Sequence, residues 1–230
     1  MNNGCYIVLE GIDGSGKSTI AERLYNDIKA KYPDRKTIFT IHPGSTALGQ
    51  HLRKLVKTPE LIDPNIRIDN LSRQMLHFVD TISFHKTILE PELAKGSIIV
   101  SDRCTYISAV IYGLATGLSM ADVTNLFSIY PPRKADLVMV FDVDWNTAKQ
   151  RMVTRMKEDF FDNQKDEFFQ KISQYYHEIT KPNLEQAVLY NQIVSLSNLK
   201  LLDSNRDIET VYNEVIPLTD RVLRNKGIVS

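Results

Sequence analysis

The sequence predicts an α/β fold, a parallel β-sheet flanked by helices, on two observations. Short β-branched runs at 6–9, 37–41, 98–100 and 137–143 alternate with longer amphipathic stretches, the pattern of strands covered on both faces by crossover helices. The 230 residues suffice for one sizeable core, and no linker-like tract of Pro, Gly or Ser interrupts them. One domain, 1–230, follows.

Tyr6 to Leu9 is the first buried strand. The next helix is expected from Lys17 to about Tyr32, with Ile20, Leu24 and Ile28 at helical spacing as its core stripe and Pro33 beyond its end. Thr37 to Ile41 is the second strand. A long helical pattern covers Ile66 to Leu93, with Leu71, Met75, Phe78, Ile82 and Leu89 near one face; Pro91 kinks or shortens it, and Gly96 marks the return to the strand Ile98 to Val100. After the strand Leu137 to Val143, a charged helix is expected around Asp166 to Gln186, a strand near Leu199 to Leu202, and a last helix over Ile208 to Asn225.

Composition excludes several classes. Lys plus Arg and Asp plus Glu number 28 each, which removes the positive field of a protein that grips a nucleic acid polymer. Cys5 and Cys104 have neither zinc-site nor disulfide-framework spacing, so reduced thiols are expected. No stretch resembles a leader or a membrane span, so a cytoplasmic protein without a membrane partner is expected.

Chemistry concentrates where strands end, since open parallel sheets bind ligands at the carboxyl edge. Gly11-Ile12-Asp13-Gly14-Ser15-Gly16-Lys17-Ser18-Thr19 fits GxxxxGK[ST] between a strand and a helix. It reads as a phosphate-binding loop, in which backbone N–H groups and a helix N-terminus face phosphate oxygens. Lys17 would reach the terminal phosphates and Ser18 would ligate magnesium. The second strand ends in His42-Pro43-Gly44-Ser45-Thr46, and the third in Asp102-Arg103. Asp102 is placed to orient the metal or its waters, and Arg103 to neutralise a transferring phosphoryl group; a surface ion pair is the plain alternative. Arg151, Arg155 and Lys157 precede the polar segment 158–167. That segment reads either as a short lid, about 155–167, or as a solvated helix end.

Together these residues resemble the thymidylate kinase family of nucleoside monophosphate kinases, from about Tyr6 to about Val211. The family's EGIDGSGK followed by S or T stands unchanged at Glu10 to Thr19, and its PGxT motif at Pro43 to Thr46, with Leu48-Gly49 and Leu52-Arg53 beyond. A P-x-L-x-x-G helix end stands at Pro91, Leu93 and Gly96, D-R at Asp102-Arg103, and an L-D-V-D-like strand at Phe141 to Asp144. The resemblance implies a homodimer that uses ATP and Mg2+ to phosphorylate a deoxypyrimidine monophosphate, above all dTMP. An acceptor such as dUMP or a base-modified relative, or a catalytically weak regulatory module, are the alternatives.

By position, the resemblance makes Gly11, Asp13, Gly14, Ser15, Gly16, Lys17, Ser18 and Thr19 the donor-phosphate loop and sets Arg151 against the donor adenine. Lys17, Asp13, Arg103 and Arg155 are the expected catalytic residues, with Ser18 and Asp102 toward the metal. Pro43, Arg53, Phe78, Arg103, Ser108 and Tyr112 are the expected acceptor residues, Phe78 stacking on the base or, equally, serving as core. Departures cluster at the base: Ile82 stands where the family has an arginine, Tyr112 where it has a glutamine, and His42 where it has a glutamate. The lid motif D-R-F-E is replaced by Asp159-Phe160-Phe161-Asp162, so Arg155 or Lys157 is expected to supply the lid charge.

Overall fold

The computed structural model describes residues 4–152, 164–181, 191 and 198–229. Five parallel strands, β1 (Cys5–Glu10), β2 (Thr37–Ile41), β3 (Ile98–Asp102), β4 (Leu137–Asp142) and β5 (Leu199–Asp203), lie in the order β2-β3-β1-β4-β5. β1 is central and wholly buried, between β3 in the register Cys5 to Ile98 and β4 in the register Ile7 to Leu137.

Because side chains alternate across a strand, each inner strand feeds two cores. Cys5, Ile7 and Leu9 pack with Ile98, Val100 and Met139 against α1 (Lys17–Lys31) and the last helix, α9 (Ile208–Asn225). Tyr6 and Val8 face the opposite layer with Ile99, Val138 and Val140, under α3 (Asn70–Phe84), α5 (Thr105–Ala115) and α8 (Asp166–Thr180). Ile20, Leu24 and Ile28 are buried as expected, each contributing roughly 1.5–3 kcal/mol. Cys5 and Cys104 are free and buried, and burial pushes both thiol pKa values up.

The long helical pattern is broken in two places. Helix α3 begins at Asn70 rather than Ile66, because the Asp69 side chain accepts from the Ser72 N–H at 2.9 Å and caps it. A wider π turn over His85–Leu89 then leads into the short α4 (Glu90–Ala94), where Pro91 occupies the first turn and needs no N–H partner. The expected single face also splits: Phe78 and Leu89 are buried, whereas Leu71 and Met75 are exposed.

The remaining helices are α2 (Ala47–Lys57), α6 (Met120–Ile129) and α7 (Trp145–Met152). Thr46 caps α2 by accepting from Gly49 N–H at 2.8 Å. Among the described residues, no helix is long and apolar enough to cross a membrane. The expected lid lies largely outside the described residues, as do Arg155 and Lys157; its last part, 164–167, runs into α8.

Candidate active site

The phosphate-binding loop joins β1 to α1. Gly16, with φ of 83°, forms the turn into α1, and Gly14, with φ of 82°, lies where a Cβ would meet the Ala148 carbonyl oxygen at 2.4 Å. Both positions require glycine, one for its left-handed backbone and the other also for close approach to α7. Lys17 is buried, with Nζ 3.2 Å from Asp13 Oδ1. Burial and neighbouring Arg103 lower its pKa, against the pull of Asp13 and Asp102.

Arg103 follows β3 with φ of 69°, a conformation that costs a non-glycine residue energy and recurs at functional sites. Its backbone N–H donates to Leu9 O at 2.8 Å. Its guanidinium donates to Asp13 Oδ1 at 2.7 Å, to Tyr176 Oη at 3.0 Å and to Tyr112 Oη at 3.2 Å. Burial alone would raise the Asp13 pKa; Lys17, Arg103 and Lys57 outweigh it and hold the carboxyl far below the ordinary carboxylate range.

Beneath Arg103 lies Glu10, wholly buried at the end of β1. It accepts from Cys104 N–H at 2.8 Å, from Ser108 Oγ at 2.9 Å and from Tyr176 Oη at 2.7 Å, and sits 3.9 Å from Arg103. Four residues from two stretches of chain, 103–108 and α8, thus converge on one carboxylate. Tyr176 escapes sequence reasoning because it lies on the apolar face of α8 with Phe168, Phe169, Ile172 and Ile179 and reads as core.

A cavity of about 490 Å³ opens beside this cluster, lined by Asp13, His42, Pro43, Lys57, His77, Arg103, Ser108, Ala109 and Tyr112. Pro43, Arg103, Ser108 and Tyr112 therefore line one cavity. Arg53 stands just behind: it donates to Pro43 O at 2.8 Å and lays its stem against Gly44. Phe78 is not among the lining residues; it is buried, edge-on to Phe127 at 5.9 Å. The preceding residue, His77, lines the cavity instead, and burial brings its pKa down to about 4. At neutral pH it presents an uncharged aromatic ring. No motif singles out His77 or Lys57, since each falls within an ordinary amphipathic helix.

A second cavity lies behind the loop, lined by Ser15, Gly16, Ile20, Arg151, Ser204, Arg206, Asp207, Ile208 and Val211. Arg151 crosses it, donating to Ser204 O at 2.8 Å and to Asn205 and Arg206 O at 3.3 Å.

Magnesium suits the oxygen donors at the loop. Asp102 Oδ1 is buried without a hydrogen-bond partner among the described residues, while Ser18 is exposed in the first turn of α1. Among the described residues no group of three or more His, Cys, Asp or Glu is arranged to hold a metal ion.

A parallel sheet of this order, a phosphate loop after its central strand and an arginine-lined second cavity define a nucleoside monophosphate kinase, a phosphotransferase. The family model "Thymidylate kinase" matches residues 9–213, and the chain belongs to the thymidylate kinase family. A thymidylate kinase of Caldicellulosiruptor saccharolyticus is 29% identical over 97% of this chain and 99% of its own. A probable thymidylate kinase of Thermococcus kodakarensis is 28% identical over 95% and 98%. The crystal structure of thymidylate kinase from Ehrlichia chaffeensis shares the fold, with a TM-score of 0.67 at 21% identity, covering 94% of this chain and 99% of that one.

Proposed function

We propose that the protein transfers the terminal phosphoryl group of ATP to dTMP, releasing dTDP and ADP. The observation that carries this reading is the cavity that Asp13 of the phosphate loop shares with Arg103, Pro43, Ser108 and Tyr112. Such transfer needs mainly positioning and charge neutralisation. Lys17 binds the transferring phosphate, Arg103 holds the acceptor phosphate, and Asp13 keeps both cations in place. Pro43, Ser108 and Tyr112 line the acceptor pocket, which Arg53 braces through Pro43 and Phe78 through the packing of α3. Gly11, Gly14, Ser15, Gly16 and Thr19 complete the loop, and Arg151 frames the donor base. Ser18 and Asp102 would hold Mg2+, which when bound screens the charge between the donor phosphates. Arg155 supplies the lid charge.

The relatives' names favour dTMP over a modified acceptor or a regulatory module. The exposed row Leu71, Met75 and Val79 on α3 supports a homodimer through that face, and ATP as donor fits a cytoplasmic setting. ADP release measured with ATP, Mg2+ and a panel of dTMP, dUMP, UMP, dCMP and dGMP tests the reading. Turnover strongest with dTMP is expected; no acceptor-dependent ADP would end it.

A further inference from the structure

Arg103 is held from two sides. On one, Nη2 donates to Asp13 Oδ1 at 2.7 Å and to Tyr112 Oη at 3.2 Å. On the other, Nη1 donates to Tyr176 Oη at 3.0 Å. A guanidinium is a planar fork with its N–H groups in fixed directions, so bonds at both terminal nitrogens fix its plane. Asp13 and Tyr112 line the acceptor cavity, whereas Tyr176 is not among the lining residues and reaches Arg103 from α8.

Tyr176 is buried, and its hydroxyl donates to Glu10 Oε2 at 2.7 Å. A hydroxyl carries one proton. With that proton on Glu10, the oxygen can only accept from Arg103. Burial and the Glu10 charge raise the phenol pKa, so the group stays protonated at neutral pH. The Glu10 carboxylate itself stands 3.9 Å from Arg103 Nη1. A second carboxylate in direct contact would pair with the guanidinium and compete with a phosphate for it; the interposed phenol gives direction without a second close ion pair. Glu10 is fixed in turn by Cys104 N–H at 2.8 Å and Ser108 Oγ at 2.9 Å. Cys104 adjoins Arg103 in the chain, so the anchor is tied to the strand end that it orients.

We propose that Tyr176 is a positioning residue for phosphoryl transfer: by bridging Glu10 to Arg103 it aims the guanidinium at the acceptor phosphate. Tyr176 touches neither substrate and acts through Arg103 alone. Its contribution is therefore felt only by an acceptor that carries a phosphate. Transfer depends on reacting groups held close to their productive geometry, and a small misdirection is costly. This inference rests on the kinase reading, in which Arg103 holds the acceptor phosphate.

The test measures kcat and KM for dTMP, together with the competitive inhibition constant of thymidine, which lacks the phosphate. The proteins compared are the unsubstituted chain, Tyr176→Phe and Ile172→Val. Tyr176→Phe removes only the hydroxyl and is expected to lower kcat/KM for dTMP by about tenfold or more while thymidine inhibition stays unchanged. Ile172→Val trims another buried side chain of α8 and is expected to leave both values unchanged. An equal weakening of dTMP and thymidine in Tyr176→Phe, as a distorted pocket would produce, overturns the inference, and so does an unchanged kcat/KM. A loss in Ile172→Val that matches the one in Tyr176→Phe also overturns it, because packing alone would then account for both. If the unsubstituted protein turns over no monophosphate, the kinase reading itself fails and takes this inference with it.

Discussion

The two ends of the acceptor cavity are built on opposite terms. At the phosphate end Arg103, Asp13, Glu10, Ser108, Tyr112 and Tyr176 form a closed network in which each polar group meets another at 2.7–3.2 Å. Behind the base end, His42 Nδ1 lies 3.8 Å from Asp80 Oδ2, with side chains only 1% and 0% exposed. Among the described residues, both His42 nitrogens, both Asp80 oxygens and both His85 nitrogens lack hydrogen-bond partners. The difference teaches where the protein invests order. Charge is pre-organised beside the phosphate loop, where the proposed transfer would need it, and the scaffold on the other side of the cavity tolerates polar groups that are buried but poorly paired.

Breaking the phosphate end carries the largest expected effect. Arg103→Met leaves Asp13 and Glu10 with less compensation, so kcat/KM should fall by about 100- to 1000-fold and stability by roughly 3–5 kcal/mol. Steady-state ADP release and urea unfolding read the two losses, and a small change in both would deny the contrast.

The next effect is acid sensitivity from the opposite end. Burial lowers the pKa of both His77 and His85 from 6.5 to about 4. Between those values the unfolded chain binds protons that the folded chain does not, so stability rises with pH through the window 4 to 6.5. It is lost as pH falls, at up to about 1.4 kcal/mol per pH unit for each histidine. His85→Leu should make the slope shallower by about one proton's share in urea titrations at several pH values. An unchanged slope would remove His85 from the account.

The smallest effect sharpens the comparison most. Replacing His42→Phe and Asp80→Leu together removes a poorly paired polar couple, and stability should stay within about 1 kcal/mol or rise. A loss as large as that of Arg103→Met in the same urea experiment would mean that the base end is as tightly organised as the phosphate end.

What was legible in the residues follows the same division. Strand runs, the helix over Lys17 to Lys31 and the final helix over Ile208 to Asn225 emerge from periodicity, because each is a local pattern with its own breakers. The break at His85–Leu89 does not, since a π turn has no compositional mark and Pro91 alone signals only a boundary. Residue 77 and residue 78 both lie on α3, and only the packing of Phe127 against one of them decides which is core and which lines the cavity.

By itself, then, the sequence determined the parallel α/β fold, the phosphate loop and the Asp102-Arg103 strand end, because phosphate is held by backbone N–H groups and side chains within short contiguous runs. Tertiary structure alone decided that Glu10 gathers Ser108 and Tyr176 beneath Arg103, and that Lys57 and His77 line one cavity. Ser108, Tyr176, Lys57 and His77 lie on separate helices whose rotation about their axes is set by the packing of whole faces, and no local pattern of residues records that rotation.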